Sequence, residues 1–427
     1  MKVLLLNQCF WPDVMATAQQ LTDLARGLAE RGHEVKVITS RRGYDDPRIQ
    51  FPRRERWHNI DIVRMRTITM GKSSRWRRAV NFASFLSACA FRLLFTGRHD
   101  VVIALTSPPL ISWLASWFTQ LKGGRLVFWV MDLNPDEAIA AGWLKPDSTT
   151  AKVLAKFLLQ SMRQAAKIIA LDRFMKERIL RKGINAEKVE VIPPWSQDDA
   201  ITFEQEGREA FRRAHGLAGK FVVMYAGNHS PCHPLDTLLE AAEKLSARAD
   251  IVFCFVGGGS EQRKVEEFAR ERQLENILCL PYQPQEELSA VLSAADLHVV
   301  VMGEAFPGIV RPCKVYNILT IGTPFVYLGP KESHMGDIIA GLPNSEFTMQ
   351  AEHGQPALVS QFILNAAQKS LGERVSAGSN LRREQTDLAR AFAKSTLLPK
   401  LIAEVEGLVT APGARPAETP AAKFQSA

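Results

Sequence analysis

Short apolar runs alternate along this chain with longer segments in which apolar residues recur every three to four positions. The runs at 3–6, 34–38, 60–64, 101–105, 126–130, 167–170 and 189–192 predict buried strands. Segments such as AQQLTDLARGLAERG between them predict amphipathic helices, with Gly32 as a stop. Alternation of this kind implies a mostly parallel sheet covered on both faces. Ile192-Pro193-Pro194-Trp195-Ser196 interrupts the pattern, and a charged helical segment follows to about residue 218. The alternation then restarts with KFVVMYAG, IVFCFVGGG, NILCLPY and DLHVVVM as strands and 235–247, 261–272 and 285–294 as helices. The pattern predicts an α/β protein of two doubly wound halves, with ligand where strand C-termini face a cleft. The halves are expected at 1–195 and 196–380, followed by a helix within 381–410 and an Ala/Pro-rich, disordered tail at 411–427.

Length agrees with two domains, since 427 residues exceed what one core usually serves. With 46% hydrophobic and 23% charged residues, the composition is that of an ordinary soluble globular protein. Six scattered cysteines, without C-x-x-C or zinc-like spacing, predict buried thiols in a reduced cytoplasmic chain. MKVLLLN lacks the length of a signal-peptide core and predicts a first strand instead. The uncharged span 101–121 is long enough to cross a bilayer, but Ser107-Pro108-Pro109 divides it into a strand and a helix.

Charge is concentrated. Residues 41–98 hold fourteen Lys/Arg against four acids, a difference of +10 that exceeds the +8 of the whole chain. Such a patch points to a polyanion: lipid headgroups, a diphosphate carrier or nucleic acid. No nucleic-acid-binding motif accompanies it, which disfavours the last.

The stretch FPGIVRPCKVYNILTIGTPFVYLG (306–329) places Arg311, Pro312 and Lys314 at the start of a short helix that Gly322 ends. A helix N-terminus with a basic entry is a candidate anion seat, although many such junctions bind nothing.

Several blocks in this order resemble glycosyltransferase family 4, the two-Rossmann-domain (GT-B) sugar transferases, and among them the bacterial O-antigen and colanic-acid type. They are ARGLAERGHEVKVITS (25–40), DVVIALTSPPL (100–110), VMDLNPDEAIAAGWLKP (130–146), EKVEVIPPW (187–195), YAGNHSPCHPLDTLLEAAEKL (225–245), VGGGSEQRKVEEFARE (256–271) and GIVRPCKVYNILTIGTPFV (308–326). The resemblance implies retaining transfer from a nucleotide-diphosphate sugar held by the second half to an acceptor held by the first. It implies no cofactor and no metal, the diphosphate being neutralised by backbone amides and basic side chains. It also implies a last helix that crosses back to the first half.

The resemblance assigns roles residue by residue. Lys314, in the Lys position of a common Pro-Ser-Lys, and Arg311 are expected to contact the diphosphate, where a cation opposes charge building on the leaving group. The alternative is a solvated lysine on a first helical turn. The ribose-gripping glutamate of the family falls on Asn317, and its partner position falls on Ile309, so the E-x7-E signature is broken; Glu304 is the nearest substitute. The family's diphosphate-binding Arg and Lys after the first glycine loop fall on Asn228 and His233, with His229 nearby, charged only when protonated. Gly257 is expected in a strand-to-helix turn approached by ligand or neighbour, and Tyr282 beside the base. On the acceptor side, Asp132 matches the aspartate of a His-Asp pair whose histidine is Met131 here; it either orients the acceptor hydroxyl or caps a helix. Asp13 and Thr17 lie on the first β-to-α connection, near the diphosphate or acceptor.

The segment 75–95 joins Arg77 and Arg78 to Trp76, Phe82 and Phe85, a composition suited to an anionic membrane interface as well as to packing in the helical layer. These expectations describe a cytoplasmic enzyme, peripheral at the inner membrane face, that glycosylates a polyprenyl-diphosphate-linked acceptor. The alternatives are a nucleotide-sugar 2-epimerase and a non-catalytic scaffold of a glycan-assembly complex.

Overall fold

The computed structural model describes residues 1–13, 15–43, 48–68, 70, 75–197, 200–342, 348–372, 385 and 387–410. Two sheets organise the chain. The first contains β1 (Lys2–Leu6), β2 (Glu34–Ser40), β3 (Arg54–Trp57), β4 (Ile60–Met65), β5 (Val101–Ala104), β6 (Arg125–Trp129), β7 (Lys167–Ala170) and β8 (Val189–Val191), in the order β3-β4-β2-β1-β5-β6-β7-β8. All its pairings are parallel except β3–β4. The second contains β9 (Phe221–Asn228), β10 (Ile251–Gly258), β11 (Ile277–Leu280), β12 (Leu297–Val301), β13 (Phe325–Leu328) and β14 (Thr348–Ala351), all parallel, ordered β11-β10-β9-β12-β13-β14.

Helices cover the sheets: α1 (Ala16–Glu30), α2 (Arg75–Leu94), α3 (Ile111–Lys122), α4 (Asp136–Ala140), α5 (Thr149–Gln164) and α6 (Arg173–Arg181) belong to the first half. The second half carries α7 (Gln205–Ala214), α8 (Asp236–Lys244), α9 (Gln262–Glu271), α10 (Leu288–Ser293), α11 (Lys314–Ile321), α12 (His334–Ala340) and α13 (Pro356–Gly372), and α14 (Lys394–Thr410) closes the described chain. Val3–Leu6 and Leu297–Val301 are buried along their whole length, as strands covered on both faces must be. The predicted strands therefore recur with ends moved by one or two residues.

Two strands escaped the periodicity. β3 reads RERW, with one face in solvent, and is recruited through a two-residue turn in which His58 and Asn59 take φ of 47° and 62°, the left-handed pair of a tight hairpin. β14 is a four-residue edge strand without an apolar run. The span 101–121 resolves into β5 and α3, and no helix among the described residues is long and apolar enough to cross a membrane.

The expected crossing helix is α14, which packs on α1. A Cβ on Gly27 would lie 2.7 Å from Ile402 Cδ1, so the glycine admits the close approach. Arg31–Glu406 (2.8 Å), Lys167–Glu404 (2.8 Å) and Lys400–Glu190 (3.2 Å) flank it. Residues 381–384 and 386 of the predicted 381–410 helix, and the tail 411–427, lie outside the described residues. One continuous buried cluster includes Leu5, Phe128 and Ile169 of the first half, Val300, Phe306 and Tyr316 of the second, and Leu401 and Ile402 of α14.

Candidate active site

The C-terminal ends of the two sets of strands face each other, and the chemistry converges in their loops. In the second half, β12 leads through 302–313 into α11, whose first residue is Lys314 and whose end is Gly322 in the left-handed region (φ 72°). The Lys314 Nζ lies 3.4 Å from the centroid of the buried Tyr225 ring on β9. Gly227, two residues further, leaves it space; a Cβ there would come within 3.3 Å of Nζ. The ammonium is buried and has no hydrogen-bond partner. Burial lowers its pKa from the ordinary lysine value to about 7. A buried cation held only by a ring face is an incomplete arrangement that an anion would complete.

His229 and His233 share this site. Burial first, then the Lys314 charge, lowers them to about 4 and about 3. Both therefore favour the uncharged form of the two that the sequence leaves open, in which each ring donates from one nitrogen and accepts at the other. Asn228, at the end of β9, is exposed, and its backbone carbonyl accepts from the Tyr225 hydroxyl (2.9 Å).

In the first half, Asp132 follows β6, and its backbone N–H donates to Thr106 Oγ1 (3.3 Å). Its carboxyl is raised to about 8, by burial and secondarily by the charge of Glu137. Helix α4 is capped at Pro135 without a side-chain bond, so Asp132 is not its capping residue. Glu137, which the sequence reading passed over, lies in the first turn of α4, accepts from Asn134 Nδ2 (2.8 Å), and is itself raised by burial. Asp136 points elsewhere, to Lys182 at 2.8 Å. The signal available for Glu137 was the tandem Asp136-Glu137, whose members the sequence cannot rank. Asp132 and Glu137 both act on the Cys232 thiol, and Asp132 acts on that of Cys313; burial chiefly raises both thiols to about 12. The first-half carboxyls thus face the second-half loop that delivers Lys314.

Arg311 does not join Lys314. Its guanidinium donates to the Leu171 carbonyl and the Tyr316 hydroxyl and lies 3.6 Å from Asp172, with 4% of its side chain exposed. The expected diphosphate contact is replaced by a buried tie between the halves. Asn317, in the first turn of α11, is half-buried, while Glu304 is exposed on the loop after β12. Gly257 pairs with Gly227 across β9 and β10, and a side chain there would collide with the Gly227 carbonyl. A neighbouring strand, rather than a ligand, requires that glycine. Tyr282 is largely exposed and donates to the Gly258 carbonyl (3.2 Å). Asp13 lies on the β1–α1 loop, its N–H donating to Phe10 O (3.0 Å), and the Thr17 hydroxyl is buried at the start of α1 without a hydrogen-bond partner. Among the described residues no group of His, Cys, Asp or Glu is placed to hold a metal ion.

The basic region is only partly surface. Arg64 is 1% exposed, paired with Glu55 at 2.6 Å and donating to the Trp11 carbonyl. On α2, Phe85 is buried and Phe82 half-buried, so of the two readings left open for these residues packing in the helical layer applies to Phe85. Exposed are Trp76, Leu94, Phe91 (65%) and Phe95 (70%), the last two in edge contact at 5.2 Å, and Leu121 at the end of α3.

Residues 17–195 match the family model for Glycosyltransferase Family 4, and residues 207–327 match that for Glycosyl transferases group 1. WcaI of Escherichia coli strain K12, a glycosyl transferase assigned to colanic acid biosynthesis, is 24% identical over 369 residues, covering 82% of this chain and 89% of that protein. Sucrose-phosphate synthase of Thermosynechococcus elongatus superposes with a TM-score of 0.71 at 16% identity, over 96% of this chain and 99% of that one. HepE of Anabaena, in complex with UDP and glucose, does so with a TM-score of 0.71 at 15% identity, over 95% and 100%. With both halves matched in order and the two-sheet GT-B architecture in place, the chain belongs to glycosyltransferase family 4.

Proposed function

We propose that this glycosyltransferase moves a hexose or N-acetylhexosamine, with retention, from a nucleotide-diphosphate sugar to a polyprenyl-diphosphate-linked glycan in surface polysaccharide biosynthesis. The observation that carries the donor assignment is Lys314: a buried, unpartnered ammonium on the first turn of α11. A diphosphate at that helix end meets the free N–H groups of the first turn and the positive end of the dipole. It also raises the lysine pKa from about 7, so donor binding and lysine protonation reinforce each other. Charge that builds on the leaving diphosphate is then opposed by a cation already desolvated, where electrostatic stabilisation is strongest. This reading needs no metal ion.

Opposite, Asp132 and Glu137 share the task of holding the acceptor hydroxyl. Burial raises both, and the Glu137 charge helps to raise Asp132 to about 8; once ionised, Asp132 accepts a hydrogen bond from the hydroxyl. The nucleotides in HepE complexes and the assignment of WcaI to colanic acid biosynthesis support a nucleotide-sugar donor and a polysaccharide product. Asn317, which offers a neutral amide where the family has a carboxylate, favours hydrogen bonding to the ribose without charge. The exposed Phe91–Phe95 pair, in a stretch of the chain rich in Lys and Arg, supports peripheral attachment at the inner membrane face, where a lipid-linked acceptor is met.

The test is a screen of UDP- and GDP-sugars against lipid-linked acceptor fractions. Acceptor-dependent sugar transfer with retained anomeric configuration is the expected outcome. Donor turnover without acceptor would favour the 2-epimerase, and no binding of either nucleotide at millimolar concentration would favour the scaffold.

A further inference from the structure

The buried polar groups that the site does not use gather where the halves meet. Asp172 caps α6 by accepting from the Met175 N–H (2.7 Å). Its other oxygen lies 3.6 Å from Arg311 Nη1 and 3.8 Å from His334 Nδ1 at the start of α12. The Asp172 and Arg311 side chains are each 4% exposed and His334 2%. Arg173, the first residue of α6, bonds both Asp337 oxygens (2.8 and 2.9 Å), and Arg178, in its last turn, donates to the Pro307 carbonyl (2.7 Å). A Cβ on Gly308 would sit 2.6 Å from the Phe174 carbonyl carbon, so the loop is pressed against this helix.

A buried ion pair of this kind returns little stability, since desolvation of both charges offsets their attraction. Its geometry supplies another reason for it. Arg311 reaches the first half through Leu171 and Asp172, and at the same time reaches α11 itself through the Tyr316 hydroxyl. The guanidinium is therefore a rigid strut from the β7–α6 loop to the helix whose first residue is Lys314.

We propose that Asp172 is a positioning residue for sugar transfer: acting through Arg311, it fixes the first turn of α11, and so Lys314, against the first half that carries Asp132. The proposal rests on the assignment of Lys314 to the leaving diphosphate, but the placement of Lys314 is measurable without any donor. Asp172 touches no reacting group; it sets the distance across which the cation and the acceptor-side carboxyls face each other.

The experiment compares wild type, Asp172→Asn, the double variant Asp172→Asn with Arg311→Met, and Asp337→Asn. Asn preserves the α6 cap. The double variant removes both charges and so leaves neither buried alone. The first readout is the pH profile of Lys314 acylation by a small amine-reactive ester, followed by mass spectrometry. Lys314 is faced by Tyr225, His229 and His233, with His298 in range, and none of these is a partner of Asp172. The midpoint near 7 in wild type is expected to rise by at least one unit in Asp172→Asn and in the double variant, and to stay put in Asp337→Asn. The second readout is kcat for transfer, expected to fall at least tenfold in the double variant although its thermal midpoint returns toward wild type. A double variant with the wild-type acylation profile overturns the proposal, whatever the donor proves to be. So does one with wild-type kcat. Wild-type protein that binds no nucleotide tells against the donor assignment alone and leaves the acylation result to judge the strut.

Discussion

At the residue scale, Lys314 and Asp132 have opposite requirements. Asp132 gains its charge as pH rises through about 8, while free Lys314 loses its charge as pH rises through about 7. The competent form carries both charges, so kcat/KM is expected to be bell-shaped with its optimum between those values. Lys314→Met removes the alkaline limb and Asp132→Asn the acid limb, each with a loss on the order of 100-fold or more in kcat, the scale of a removed electrostatic or acid–base contribution. In kcat the alkaline limb moves to higher pH, because the bound diphosphate holds the lysine protonated. Profiles measured on the three proteins check this. Lys314 was legible in the sequence, since a loop, a Pro and a Gly bracket it locally. The role of Arg311 was not, because its partners Leu171 and Asp172 come from a strand end far earlier in the chain. The preference of His229 and His233 for the uncharged form was likewise not legible, because burial beside a lysine is a property of the assembled site.

At the scale of elements, the strands that read as continuous apolar runs were all recovered, because burial on both faces leaves that pattern and no other. β3 was hidden by its half-exposed RERW sequence, and the outward face of α2 by apolar residues spread around its circumference. Phe85 and Phe91 are alike in sequence; only packing on the sheet separates them. The α1–α14 contact was expected from the resemblance, and its fit depends on Gly27. Gly27→Leu is expected to destabilise the protein by about 1–3 kcal/mol through overpacking against Ile402. Gly27→Ala should be within about 1 kcal/mol of wild type, since the flexible Ile402 methyl can move and alanine favours the helix. Urea denaturation of both variants measures the difference.

At the scale of the whole molecule, the two halves are joined by a continuous core and by ties around α6, which holds the loop that delivers Lys314 close to the first half. Phe91, Leu94, Phe95 and Leu121 are all exposed on the first half, so membrane contact through them would bring that half to the lipid. Each phenylalanine buried in a bilayer interface contributes on the order of 1.5–3 kcal/mol at most. Phe91→Ser combined with Phe95→Ser is therefore expected to lower sedimentation with anionic vesicles at least tenfold while leaving transfer to a water-soluble acceptor unchanged. Added salt should weaken the remaining attraction. Vesicle binding that the double change leaves intact would place the contact elsewhere.

The seat of the nucleotide-sugar diphosphate on Lys314 is measured by calorimetric titration of wild type and Lys314→Met with UDP and GDP. Wild type is expected to bind one of the two, taking up protons at pH 8 as the lysine becomes charged, and Lys314→Met to bind it at least tenfold more weakly without proton uptake. Equal affinity and equal proton uptake in the two proteins would contradict it.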